Sequence, residues 1–343
     1  MRANFGRCYN HRSMKRILIG VILVFTLSNL LTAQRAGQQP TPPTPRPGTP
    51  EVQREDDTIS IFVDRVNLLF TVADKKGKFV TNLRKEDFKV YEDDKLQSIT
   101  NFSSESNLPL TISLLVDTSG SIRDKLKFEE EAAIEFFYST LQRGKDKALV
   151  ISFDSGVELL QDFTDDPEKL ADKIRKIRSG GGTALYDAIY LAVNEKLSTQ
   201  DGRRILIVIS DGDDNSSRVA LSETLEVAQR NEVTIYAIST NSTSFGSKDQ
   251  ERGDKTLKKF AEETGGKAFF PLKIQDLASS FLDIHDELRS QYQIAYRPLN
   301  DKRDGTFRRT RVDVNDKRFK ARARTGYYMP KATSPVQKER VKP

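Results

Sequence analysis

Between residues 109 and 290, short apolar runs rich in Val, Ile and Leu alternate with longer segments of helical periodicity. This alternation constrains the fold more than any other feature, because strands joined by crossover helices close into a parallel sheet covered on both faces. Strands are expected at 111–116, 147–153, 204–209, 233–238 and 267–270, and helices at 123–142, 167–177, 184–198, 218–230, 254–264 and 274–290. The stretch "ILIVIS" is apolar at successive positions, as a central parallel strand requires. A further strand at 157–162 follows 147–153 through the tight turn "DSG", so it is expected as an antiparallel hairpin partner.

Outside this body the period changes to that of β structure. Residues 58–106 contain "ISIFVDRVNLLFTV" and "DFKVYEDDKLQSITNF", with turns at "DKKGKF" and Glu92-Asp93-Asp94. Residues 291–328 contain "YQIAYRP", "FRRTRVDVN" and "RFKARARTGYY". Each region is too short to bury a core, so the two are expected to pair with each other beside the body at 107–290.

The ends read differently again. Residues 1–33 have the form of a secretory signal, with Arg2, Arg7, Arg12, Lys15 and Arg16 before an apolar core from Ile17 to Leu27. Leu31-Thr32-Ala33 supplies a cleavage site; an uncleaved membrane anchor is the other reading, although the stretch is short for a span. Either way the chain is expected outside the cytoplasm, secreted or periplasmic. Residues 34–57, with "QQPTPPTPRPGTP", form a stiff extended spacer, and 329–343 a polar, disordered tail.

The net charge of +6 sits at the two ends: five cationic residues and no acid in 1–33, and ten Lys or Arg against four Asp or Glu in 301–324. What lies between is acidic, which argues against nucleic acid as a partner. The single cysteine, Cys8, falls inside the expected signal, and the two histidines are His11 in that signal and His285 in a helical pattern. Disulfides, thiolate metal sites and hydrolysis by Ser-His-Asp or Cys-His groups are thereby excluded from the mature chain.

In an open parallel sheet, ligands bind beyond the carboxyl ends of the strands, where neighbouring connections diverge. Asp117 ends the first strand in "LLVDTSGSI", and Asp211 follows "ILIVIS". Thr183 comes after Gly180-Gly181-Gly182 at a helix start. Asp, Ser and Gly at a strand end serve equally as turn and cap residues. Asp117, Ser119, Ser121, Thr183 and Asp211 together are five oxygen donors from three loops, which suits a hard cation. Mg²⁺ prefers six oxygens at roughly 2.0–2.1 Å and keeps its waters reluctantly shed. Two carboxylates and three neutral hydroxyls would leave it electrophilic at an open position. Asp213 and Asp214 read as a solvated acidic loop, Asp187 as a carboxylate favouring a helix dipole, and Glu129, Glu130 and Glu131 as a solvated helix run.

"DTSGS" at 117–121, Thr183 after the glycine run and Asp211 in "SDG" resemble the complete metal-ion-dependent adhesion site of the von Willebrand factor type A domain, over about 109–285. The flanking "EDFKVYEDDKLQSITNF" and "TGYY" are similar to secreted bacterial proteins related to that domain, a group prominent in Acidobacteria. The resemblance implies an α/β fold with a Rossmann-like, doubly wound, six-stranded and mostly parallel sheet, beside a small all-β unit from the flanking strands. It implies Mg²⁺, with Mn²⁺ or Ca²⁺ as substitutes, and a protein partner that donates an Asp or Glu to the metal. A binding module is expected, not an enzyme. One alternative is an envelope protein whose ion only holds the fold. Another is a Mg²⁺-dependent hydrolase using Asp117 as phosphoryl acceptor, but the haloacid dehalogenase pattern needs a second Asp two residues on, where this chain has Ser119.

Overall fold

The computed structural model describes residues 65–104, 108–120, 125–241, 248–273 and 276–331. The expected signal and spacer, residues 58–64, Ser121 and the tail from 332 lie outside the described residues.

In chain order the elements are β1 (Val66–Asp74), β2 (Phe88–Glu92), β3 (Lys95–Gln97), β4 (Ile99–Ser103), β5 (Leu110–Asp117), α1 (Leu126–Thr140), β6 (Lys147–Phe153), β7 (Val157–Thr164), α2 (Pro167–Ile174), α3 (Leu185–Leu191), β8 (Arg203–Ser210), α4 (Leu221–Arg230), β9 (Thr234–Ser239), α5 (Lys248–Thr264), β10 (Ala268–Phe269), α6 (Leu277–Arg289), β11 (Tyr292–Tyr296), β12 (Phe307–Val314), β13 (Phe319–Ala323) and β14 (Gly326–Tyr328). The body is a six-stranded sheet ordered β10-β9-β8-β5-β6-β7. All neighbours are parallel except β7, which returns antiparallel to β6. From β5 the chain moves one way to β6 and β7, then crosses back to β8 on the other side of β5. That reversal creates the crevice at the carboxyl ends of β5 and β8. The body is therefore the expected Rossmann-like, doubly wound α/β sheet.

Both faces of this sheet are covered. Phe136 and Phe137 of α1, Leu170 and Ile174 of α2, and Phe281 and Ile284 of α6 pack on Leu114 and Ile207. Ile189 of α3, Ala228 of α4, and Leu257 and Phe260 of α5 pack on Leu115 and Val208 from the opposite side. Local chemistry sets the helix starts: Asp166 caps α2 by accepting from the Glu168 amide at 3.2 Å, and Pro167 occupies the first turn.

Two helices depart from the expected ones. The helix expected at 184–198 changes after Leu191 to a π-helical segment, Ala192–Leu197, with the Ser198 amide bonding the Val193 carbonyl at 2.8 Å. The wider turn leaves Ala192, Val193 and Leu197 all buried against the sheet. Helix α5 begins at Lys248 instead of 254. Gly253, unfavourable to a helix by propensity, lies inside it because a Cβ there would stand 2.2 Å from the Asp211 carbonyl oxygen.

The flanking segments form two four-stranded sheets, β13-β1-β11-β4 and β14-β12-β2-β3. N-terminal and C-terminal strands interleave: β1 lies between β11 and β13, and β2 pairs with β12, in each case antiparallel. Their shared core holds Leu68, Phe70, Val90, Tyr292, Ile294 and Tyr296. Phe70 stacks on Tyr292 at 5.4 Å. The turn at Asp93 and Asp94 places both residues at positive φ, 45° and 62°, as a two-residue hairpin turn requires. Within the core, Glu92 accepts hydrogen bonds from the Tyr296 and Tyr327 hydroxyls at 2.8 Å each, and Arg308 lies 3.4 Å from its other oxygen.

Helix α6 passes into β11 through only Ser290 and Gln291. Buried polar contacts fasten body and flanking sheets there. Tyr236 donates to Glu287 at 2.8 Å, and Arg322 of β13 pairs with the same carboxylate. Arg203, fully buried, donates to the Leu288 carbonyl at 2.6 Å and to Gln291 at 3.1 Å. His285, expected to be a packed or surface residue, places Nδ1 3.0 Å from the Thr140 hydroxyl. Among the described residues, no helix is long and apolar enough to cross a membrane.

Candidate functional site

Asp117 is the last residue of β5 and is wholly buried. Parallel register with β8 pairs Val116 with Ile209, so the next residues, Asp117 and Ser210, stand side by side at the sheet edge. The Ser210 hydroxyl donates to Asp117 Oδ2 at 2.6 Å, and the Ser119 amide donates to Oδ1 at 2.8 Å. Ser210 Oγ in turn accepts from the Gly212 amide at 3.0 Å. One hydroxyl thus links the carboxylate of the first loop to the turn that carries Asp211. Sequence reasoning missed Ser210; the cue was its position level with Asp117 across two adjacent strands.

The three loops are locked to one another by backbone bonds. The Gly180 amide donates to the Thr118 carbonyl at 2.7 Å, and the Gly120 amide to the Gly181 carbonyl at 3.4 Å. Asn215 and Ser216 amides both donate to the Thr183 carbonyl at 3.0 Å, while the Thr183 amide donates to Asn215 Oδ1 at 2.9 Å. Gly181, at φ +81°, backs onto Asp154, whose carboxylate leaves no room for a Cβ. Gly212, at φ +77°, lies against the Gly253 carbonyl of α5. Asp117, Ser119, Thr183 and Asp211 therefore share one edge of the sheet, with Ser119 and Thr183 nearly as buried as Asp117. Ser121 lies outside the described residues.

The neighbouring acids have other work. Asp213 pairs with Arg252 at 3.0 Å and gives its amide to Asp211 Oδ1 at 3.1 Å. Asp214 accepts from the Ser217 hydroxyl at 2.6 Å and from the Tyr186 amide at 3.3 Å, at the start of α3. Asp187, expected to serve the helix dipole, accepts from the amides of Arg218 and Val219 at 2.9 Å each, which anchors the chain leading into α4.

Glu129 corrects the expectation of a solvated run. Glu131 is exposed and Glu130 half-buried, but Glu129 is fully buried, and neither of its carboxylate oxygens has a hydrogen-bond partner among the described residues. Its period was the cue, since 129, 132, 133, 136 and 137 form the buried stripe of α1. Burial pushes the Glu129 carboxyl up to about 8; the Asp117 charge adds to the rise, Lys125 opposes it, and Asp211 adds further. Lys125 itself donates to the Thr240 carbonyl at the end of β9. Burial likewise pushes Asp117 up to about 6, against hydrogen bonds from Ser210 and Ser119 that favour the ionised form, with Asp211 again raising it.

These observations define a chemical demand. Among the described residues Asp117 receives hydrogen bonds from neutral groups alone, and a second buried carboxyl, Glu129, feels it and Asp211. A divalent cation between Asp117 and Asp211 answers that charge, and the hydroxyl-rich loops suit a hard ion. Among the described residues, no group of three or more His, Cys, Asp or Glu is arranged to hold a metal.

The body is thus a doubly wound α/β domain that brings carboxylate and hydroxyl side chains from three loops to its switch point. Residues 112–213 match the family model described as von Willebrand factor type A domain, and the sheet and helices around them have that fold. Solved structures similar to the chain include an aerotolerance-related membrane protein from Bacteroides fragilis, at 16% identity and a TM-score of 0.44, covering 52% of this chain and 98% of that one. BatB from Bacteroides thetaiotaomicron is 17% identical with a TM-score of 0.42, covering 53% and 100%. The vWF domain of the type V pili tip protein Mfa5 from Porphyromonas gingivalis is 14% identical with a TM-score of 0.44, covering 52% and 94%. No curated protein matches the chain.

Proposed function

We propose that the chain is a divalent-cation-dependent protein-binding module, of adhesion or scaffold type, that works outside the cytoplasm. The reading rests above all on Asp117: a carboxylate at the switch point that accepts from Ser210 and the Ser119 amide, pushed up by its burial and further by the nearby Asp211 charge. Asp117, Ser119, Ser121, Thr183 and Asp211 hold Mg²⁺, with Mn²⁺ or Ca²⁺ as substitutes. When bound, the cation supplies an electrophilic open position that takes an Asp or Glu carboxylate from a protein partner. Ser210 and the interlocked backbones of the three loops orient the donors in advance. Residues 1–33 direct export, and 34–57 hold the domain away from the point of attachment or release.

The test is calorimetric titration of Mg²⁺ into chelator-treated full chain, alongside capture of envelope proteins with Mg²⁺ or with chelator. Saturable binding that Asp117→Ala and Thr183→Ala abolish, with a partner retained only in Mg²⁺, is expected. Absence of Mg²⁺, Mn²⁺ and Ca²⁺ binding would overturn the proposal. Binding that raises thermal stability without changing capture would reduce the ion to a structural part.

A further inference from the structure

Beside the site, a groove of about 600 Å³ runs from Thr118 along β7 and the end of α2. Lys173, Lys176 and Arg178 line it. All three are exposed, and none is in an ion pair among the described residues. Arg143 and Arg175 nearby are paired, with Asp166 and Asp172, and the half-buried Lys196 is paired with Asp162; Lys169 of α2, exposed and without an ion pair among the described residues, does not line the groove. Two acids also line the groove, but Asp154 is engaged in its own turn, accepting from the Gly156 amide at 2.9 Å, which leaves Glu158 as the one acid on the strand wall. Lys173 falls in the last turn of α2, where a cation complements the helix dipole. Lys176 and Arg178 lie beyond the helix, on the segment that leads to Gly180 and its bond with Thr118.

We infer that this groove receives an extended acidic stretch of the partner: the carboxylate on the cation is followed by further Asp or Glu residues that run over Thr118 to Lys173, Lys176 and Arg178. The inference rests on the proposed function for its first contact, and on charge complementarity for the rest. The partner class is thereby narrowed from a protein with one exposed acid to one with an extended acidic segment. Exposed contacts of this kind are individually weak, so three of them together add about tenfold to affinity.

Two fluorescent decapeptides test it on the full chain: ten glutamates, and a glycine-serine peptide with a single aspartate. In Mg²⁺ the glutamate peptide is expected to bind about tenfold more tightly than the single-aspartate peptide. The variant Lys173→Ala, Lys176→Ala, Arg178→Ala should remove that advantage and leave the single-aspartate affinity unchanged. The control variant Lys75→Ala, Lys76→Ala, Lys78→Ala, which removes three exposed cations from the turn after β1, should leave both affinities unchanged. Equal affinities for the two peptides, an advantage that survives the groove variant, or equal losses in groove and control variants would each overturn the inference. Failure of the proposed function has a different signature: the single-aspartate peptide binds no better with Mg²⁺ than with chelator. Loss of glutamate-peptide binding in the groove variant alone would still support the groove in that case.

Discussion

Among the described residues five carboxyl groups are almost fully buried: Asp146, which meets Arg289 and the Leu110 and Gln142 amides, and four others that fall into two contrasting pairs. Glu92 in the flanking sheets and Glu287 at the junction each meet an arginine and a tyrosine hydroxyl. Asp117 and Glu129, at the carboxyl edge of the main sheet, meet neutral donors or none. A buried charge is tolerated when protein groups neutralise it and costly when they do not. The first pair is complete as folded and belongs to architecture. The second pair has no hydrogen-bonded cationic partner among the described residues, and burial raises both carboxyls.

The sharpest way to break the contrast is to strip the first pair of its cation. Arg308→Met leaves Glu92 buried with only the two tyrosines, and a loss of about 3–5 kcal/mol in urea unfolding is expected; a loss under about 1 kcal/mol would erase the distinction. Next comes ligand linkage at the second pair. Mg²⁺ at about a hundred times its dissociation constant should stabilise the chain by about 2.7 kcal/mol, and Asp117→Asn should abolish the gain in thermal unfolding.

A third expectation concerns pH in the presence of chelator. The Glu129 carboxyl is held at about 8 in the fold against an ordinary value of 4.5. Over that interval the folded form keeps a proton that the unfolded chain releases, so stability falls as pH rises from about 4.5 to about 8 and levels off above. Glu129→Gln should flatten the fall, which the full shift puts at up to about 5 kcal/mol, read from denaturation midpoints across that range; an unchanged slope would mean that Glu129 does not carry it. Smaller still, Gly253→Ala pushes a methyl group towards the Asp211 carbonyl. It should cost about 1–2 kcal/mol and weaken cation affinity, whereas Mg²⁺ binding at wild-type strength would show that α5 does not brace the loop. Arg143→Ala, which removes an exposed pair with Asp166, should change stability by about 0.5 kcal/mol or less and sets the floor for the series.

Much of this architecture is legible in residue order because its causes are local or periodic. Apolar runs mark β5, β6 and β8, and a carboxylate at the end of a parallel strand marks the candidate edge, so the placing of Asp117 and Asp211 there is legible without coordinates. The parts that resist such reading depend on partners distant in sequence. Arg308 looks like one more residue of a basic segment until Glu92 is seen opposite it, 216 positions away. Ser210 gains its role only when β5 and β8 are set in register. Gly253 looks like a place for a helix to stop; the backbone of Asp211 passing over it is what requires the missing side chain. Glu129 lies between these cases: charge suggests solvent, but helical period places it inward.

The interleaving of β1 with β11 and β13, and of β2 with β12, has a consequence for how the chain is made. The strands that precede the body cannot complete their sheets until those that follow it have left the ribosome, so the body, whose pairings lie within 110–269, can close first. During that interval Leu68, Phe70 and Val90 wait without their partners, and a cell that exports this chain must keep them apart from other nascent strands until translation has passed residue 328.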